Sequence, residues 1–318
     1  MGDQASAGVA GIVGSGLIGR AWAHVFARAG WLVVMWDPEP KTREDAPSLV
    51  AASLHDLARH GLVDKPDIAA TRVTSVATMA EAVNAADFVQ ESGPETVEAK
   101  RAIYAELDVA APRTAVLASS TSAIVASLFT ERLAGRDRCL VAHPVNPPHL
   151  VPIVELCPSP WTSEATIRRA RDVYAGVGQV PILVKREIEG FVLNRLQGAL
   201  LAEAFRLVGE GVVTPQDLDE TVRNGLGLRW SFMGPFETIE LNAPGGMADY
   251  CARYTGFYRR LQEQPAPATV WDEANRRKVV SAWGGAPTPD GIAEKSRWRN
   301  ERLAALAAHK SKQSPFKT

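Results

Sequence analysis

Apolar positions in the first part of the chain fall in short unbroken runs: Val9 to Val13, Trp31 to Trp36, Phe88 to Gln90, Ala115 to Ala118, Cys139 to Ala142, Ile153 to Leu156 and Ile182 to Val184. Continuous runs of this kind, as opposed to alternating ones, belong to strands covered on both faces, as in a parallel sheet. Helix-like segments lie between several of them: Leu17 to Ala29, Glu95 to Val109 and Thr162 to Gly176. This βαβ rhythm predicts an α/β fold, a Rossmann-type doubly wound sheet over residues 1–188. After Gly190 the pattern changes. Phe191, Leu193, Leu196, Leu200, Ala204 and Leu207 recur at helical spacing and no strand-like run follows, so residues 189–318 are expected to form a mostly helical second domain. Within it Thr214, Pro215 and Asp217 supply a hydroxyl cap, a proline at the first helical position and an early acid, and that helix is expected to stop at Asn224–Gly225. Residues 263–290, rich in Pro, Gly and Ala, read as irregular. The tail from Lys295, with seven lysines and arginines against Glu301, reads as a solvated helix with a frayed end.

Composition narrows the function classes. The 318 residues are 46% hydrophobic and 22% charged, with 35 basic against 36 acidic side chains. A net charge of -1 provides no global field to recruit nucleic acid or a membrane surface. Cys139, Cys157 and Cys251 have no C-x-x-C spacing, which argues against a zinc knuckle, a disulfide framework or any resident metal, and suits the reducing cytoplasm. No run approaches the roughly 18 apolar residues that a membrane span needs. No basic residue precedes an apolar segment at the start of the chain, so no signal peptide is expected.

The candidate chemistry sits at strand ends. Gly14-Ser15-Gly16-Leu17-Ile18-Gly19 matches G-x-G-x-x-G directly after a strand and opens a helix. In such a turn the first glycine permits the tight bend, the second lets backbone approach a pyrophosphate, and the third allows close helix–sheet packing; the helix start offers N–H groups to the phosphates. Asp37 ends the next strand, where a carboxylate accepts hydrogen bonds from a ribose diol and repels a 2′-phosphate, favouring NAD over NADP. Further on, Ser119-Ser120-Thr121-Ser122 follows one strand and His143 follows another. Glu155 lies inside an apolar run, an odd place for a carboxylate without a partner, since burying it unpaired costs several kcal/mol. A His143–Glu155 pair fixes the imidazole tautomer and stabilises the imidazolium, as a general base for alcohol oxidation requires. His24, His55, His60, His149 and His309 read as surface or packing residues.

Taken with Gly190-Phe191-Val192-Leu193-Asn194-Arg195 and Met233-Gly234-Pro235-Phe236-Glu237, these segments resemble the L-3-hydroxyacyl-CoA dehydrogenase superfamily. Ala142 to Pro148 and Gly225-Leu226-Gly227-Leu228-Arg229 resemble its λ-crystallin and L-gulonate 3-dehydrogenase branch. The resemblance implies an NAD-dependent dehydrogenase that dimerises through its helical domain. It makes His143 the base and Glu155 its partner, with Ser122 and Asn194 holding the substrate oxygen. Asp37, Glu95, Lys100, Ser122 and Asn146 would contact the cofactor. The helical excursion Lys41 to Ala70 carries four cations against five carboxylates, a poor cradle for the phosphates of an acyl-CoA. Arg229 is able to pair bidentately with a free carboxylate, unless it pairs internally with Glu237 or Glu240. The expected substrate is therefore a small free 3-hydroxy acid such as L-gulonate. A short-chain 3-hydroxyacyl-CoA dehydrogenase is the nearest alternative. A 6-phosphogluconate-type enzyme needs a lysine in its second domain, and none occurs between Arg186 and Arg277. A non-catalytic NAD-binding crystallin-like role is the alternative of another class, and an intact Ser122, His143, Glu155 and Asn194 weighs against it.

Overall fold

The computed structural model describes residues 7–314, which form one eight-stranded sheet and two compact units. The strands are β1 (Val9–Val13), β2 (Leu32–Trp36), β3 (Val73–Ser75), β4 (Phe88–Glu91), β5 (Val116–Ser119), β6 (Cys139–Pro144), β7 (Ile153–Pro158) and β8 (Val180–Leu183). Their order across the sheet is β3-β2-β1-β4-β5-β6-β7-β8. The chain starts in the middle, winds outward to β3, then crosses back to β4, so the strand order reverses between β1 and β4. Every neighbouring pair is parallel except β6–β7, which is antiparallel. Seven of the eight strands match the apolar runs of the sequence to within a few residues, and the short edge strand β3 is the eighth. One difference bears on the site: β6 runs through His143 to Pro144, so the histidine lies within the strand rather than after it.

Helices cover both faces, which is why the strands read as unbroken apolar runs. One core layer packs α1 (Leu17–Arg28) and α2 (Pro40–Ala58) through Trp22, Phe26, Ala46 and Leu54 against β1, β2 and β4, with Tyr174 from the helix Glu164–Gly176. The opposite layer packs Tyr104 and Leu107, from the helix Val97–Ala110, with Val83, Leu117 and Phe129.

The division into compact units differs from the sequence-based domains in the tail. One unit runs up to Asn194 and takes in the chain from Ala293 onward; the other is Arg195–Ile292. The tail helix Pro289–Lys310 is not merely solvated: Ala304 is buried in the first core layer and Leu303 packs beside it. Residues 315–318, the expected frayed end, lie outside the described residues.

Within the second unit Thr214 caps the helix Pro215–Thr221 as expected, its Oγ accepting from Asp217 N–H at 3.1 Å. The helix does not stop at Asn224–Gly225. Gly225 does not take the positive φ of a C-terminal cap, and the chain continues through a π-helical turn, Val222–Leu226, into Gly227–Trp230. Nor are residues 263–290 irregular throughout, because the helix Glu273–Trp283 lies among them. Trp283-Gly284-Gly285 is its terminator, with Gly284 at φ 110°.

Candidate active site

The turn after β1 is built as a dinucleotide cradle requires. Gly14 has φ 95°, and a Cβ there would come within 2.6 Å of the Ser92 carbonyl oxygen. A Cβ on Gly19 would lie 1.8 Å from the Gly14 oxygen, so only glycine lets α1 start this close to the turn. At Gly16, by contrast, a Cβ would meet nothing within 4 Å: the backbone there faces open space. Ser15 is fully buried with its hydroxyl unpartnered, and its N–H donates to Asp37 Oδ2 at 2.7 Å. The carboxylate at the end of β2 is thereby tied to the turn. A bare backbone face, a helix N-terminus and an adjacent carboxylate fit the pyrophosphate and adenosine side of NAD. Leu17 and Ile18 open α1 immediately beyond.

His143 and Glu155 are register partners on the antiparallel pair β6–β7, which sets their side chains side by side. His143 Nδ1 and Glu155 Oε2 are 2.8 Å apart and both residues are buried. Glu155 Oε1 accepts from the backbone N–H groups of Val192 and Leu193, each at 2.9 Å, at the start of the helix Leu193–Gly209. Burial pushes the Glu155 carboxyl pKa up, but the bond to His143 and the two N–H donors outweigh it and hold the group below its ordinary value. The imidazole packs against Phe191, whose ring centroid is 5.5 Å away. With Nδ1–H donated to the carboxylate, Nε2 carries the lone pair of a base.

The hydroxyl run after β5 divides by role. Ser119 Oγ donates to the buried Glu91 at 2.6 Å. Ser120 Oγ accepts from Trp22 Nε1 and Gln90 Nε2. Thr121 Oγ1 donates to Glu95 at 2.6 Å. Ser122 is exposed, and the Asn194 amide donates to its backbone oxygen at 2.7 Å, so these two expected substrate-binding residues stand together.

Three other expected residues are placed as follows. Lys100 is only 1% exposed, its ammonium bonded to both oxygens of Glu91 at 2.8 and 3.0 Å. It therefore presents nothing to a ligand, against the expectation of a cofactor contact. Asn146 is exposed, before a cis bond to Pro147. Arg229 lies on the helix Gly227–Trp230 in the second unit, exposed and with no ion pair among the described residues; Glu237 accepts from Gly234 N–H instead. The sequence reading missed Glu91, although a carboxylate ending a buried strand was its signal: the expected strand stopped one position short, at Gln90. Among the described residues there is no cluster of three metal-ligating side chains, and no helix is long and apolar enough to cross a membrane.

Residues 9–188 match the 3-hydroxyacyl-CoA dehydrogenase NAD-binding domain and residues 190–281 match the C-terminal domain of the same family. The chain is 41% identical to λ-crystallin of Oryctolagus cuniculus, covering 96% of this chain and 97% of that protein. It is 37% identical to L-carnitine dehydrogenase of Pseudomonas putida, covering 93% and 90%. Among solved structures it resembles 5-formyl-3-hydroxy-2-methylpyridine 4-carboxylic acid 5-dehydrogenase, an NAD+-dependent dismutase, with a TM-score of 0.82 at 27% identity over 96% of this chain and 99% of that one.

Proposed function

The chain belongs to the 3-hydroxyacyl-CoA dehydrogenase family, and on that premise we propose that it oxidises the C3 hydroxyl of a small free hydroxy acid. The observation that carries this is the buried His143–Glu155 pair, on the same sheet as the dinucleotide turn. NAD, when bound, supplies the hydride acceptor. Its adenosine side would rest on Gly14–Gly19 and Asp37, and Asn146, Glu95 and Ser122 are its further candidate contacts. His143 Nε2 takes the proton of the substrate hydroxyl, and Glu155 offsets the positive charge that forms on the ring. Ser122 and the second N–H of the Asn194 amide hold the oxygen as it becomes partly anionic, each well-placed donor contributing up to a few kcal/mol. In the reducing direction the imidazolium returns the proton, so that direction gains as pH falls.

Arg229 favours a free carboxylate over a thioester, because its guanidinium is not engaged with Glu237 or Glu240 and suits bidentate pairing. Similarity to an L-carnitine dehydrogenase supports the same class, carnitine being a free 3-hydroxy acid. Three cysteines without disulfides suit a cytoplasmic setting. The second unit also bears on assembly: among its described residues only Pro215, Thr238, Ala243 and Val270 are buried, while Phe232, Phe236 and Leu241 are each about 70% exposed. That much apolar surface argues for a second copy of this chain as its cover.

The test is NAD reduction measured with L-gulonate, L-carnitine, 3-hydroxybutyrate and 3-hydroxybutyryl-CoA, for the parent protein and Arg229→Ala. A free acid should be preferred, and the variant should raise its KM by about tenfold or more, the worth of a bidentate pair. Preference for the thioester would overturn the substrate class. NADH binding without turnover of any hydroxy acid would favour a non-catalytic role.

A further inference from the structure

The carboxylate of Glu91 and the ammonium of Lys100 meet beneath the loop that joins β4 to the helix Val97–Ala110, and neither side chain reaches solvent. Glu91 is saturated with donors: besides Lys100 it accepts from Ser119 Oγ at 2.6 Å and from Gly93 N–H at 2.5 Å. Lys100 also donates to the Gly93 carbonyl at 3.3 Å and lies 3.7 Å from Glu95 Oε2. The loop has no slack. A Cβ on Gly93 would come within 2.7 Å of Ile103 and 3.1 Å of Glu91. The other Glu95 oxygen, Oε1, gathers the next turn of chain: it accepts from Thr121 Oγ1 at 2.6 Å, Ser122 N–H at 2.7 Å and Ala123 N–H at 3.2 Å.

One side of Glu95 thus faces the buried ammonium and the other holds the backbone that carries Ser122. A buried ion pair contributes little net stability, since desolvation offsets the attraction. It does hold geometry, because a buried charge tolerates few arrangements. We infer that Lys100 is a positioning residue: gripped by Glu91, it orients Glu95, and through Glu95 it fixes the turn bearing Ser122. The same loop touches the cofactor turn, since the Ser92 carbonyl closes on Gly14. The glycine turn is held besides by Gly14, Gly19 and Asp37, so the buried lysine chiefly sets the alcohol-binding serine. The consequence for catalysis rests on the role proposed above for Ser122; the mechanical link does not.

The experiment compares the parent protein, Lys100→Met and the double variant Glu91→Gln/Lys100→Met, which replaces the ion pair with a neutral one should the single variant fold poorly. Three quantities are read: amide hydrogen exchange over residues 119–124, NADH affinity by fluorescence, and kcat with the best hydroxy acid. Exchange at Ser122 and Ala123 should accelerate by about tenfold or more while the β1 amides stay protected. NADH affinity should stay within about threefold, and kcat should fall by about ten- to a hundredfold, the cost of a misplaced group. A large loss of NADH affinity with unchanged exchange would make Lys100 a cofactor contact and overturn the proposal, as would no change in any of the three. Parent protein inactive on every hydroxy acid would refute the proposed function while leaving the exchange result to stand or fall alone.

Discussion

The two oxygens of Glu155 do different things, and the difference predicts how substitutions there behave. Oε2 holds His143 and Oε1 holds the N–H groups of Val192 and Leu193. In Glu155→Gln the amide oxygen still serves the backbone donors, but the NH2 group then faces His143 Nδ1 and favours the tautomer with its proton on Nε2. The expected outcome is a kcat lower by about 10²–10⁴, with melting temperature and NADH affinity little changed. His143→Gln should lose activity on the same scale, and near-normal turnover in that variant would refute the general-base role. The folded pKa of Glu155 is lowered, so its contribution to stability is present above the ordinary carboxyl value and is lost as pH falls through the lower, folded one. At this scale the sequence was informative wherever a residue violated its surroundings, as Glu155 does in an apolar run. It was uninformative about Ser119, Ser120 and Thr121, because which of four adjacent hydroxyls face inward depends on strand register, and partners such as Glu91 and Trp22 are remote in sequence.

The packing of α1 against its neighbours has a pH dependence of its own. His24 on α1 is fully buried, bonded to Ser53 Oγ of α2 at 3.1 Å and stacked on His149 with ring centroids 5.0 Å apart. Burial lowers both pKa values; the charges of His149 and Arg28 push His24 further down, and those of Arg28 and Arg299, on the tail helix, do the same to His149, which falls to about 4. Both rings are thus neutral in the fold, and protonation favours unfolding. Stability from this pair is complete above pH 6.5, the ordinary histidine value, and is lost as pH falls toward 4. The loss from His149 alone is on the order of 3 kcal/mol. Urea midpoints measured at pH 7.5 and pH 5 should show the decline, and His149→Phe should flatten it; an equal slope in that variant would exclude His149 as its source. Elements were legible where a local signal marks their start, as the glycine turn does for α1 and the Thr214 cap does for Pro215–Thr221. They were not legible where tertiary contact decides: nothing local marks Ala304 as a core residue, and Gly225 offers a stop that the chain does not take.

For the molecule as a whole, the two units differ in how far they bury their own apolar surface. The sheet unit encloses two core layers, whereas the described residues of Arg195–Ile292 enclose almost nothing. Light scattering should give twice the chain mass, and Phe236→Asp should shift it toward one chain per particle. A monomeric parent protein would refute the dimer. The division into sheet and helical parts was readable from the change of periodicity after Gly190. The return of the tail to the sheet unit was not, because a chain that doubles back leaves no trace in local pattern.

The second duty of Glu155 also bears on how such a protein ages. A lineage recruited to mere bulk, with turnover abandoned, would still need this glutamate to anchor the first turn after residue 191, and selection for folding alone would preserve it. The structural duty of His143, donating to Glu155, needs only an N–H of similar reach, which an uncharged amide also supplies. Drift toward a pseudoenzyme would therefore surface first at position 143, and a surviving glutamate is weak testimony to surviving chemistry.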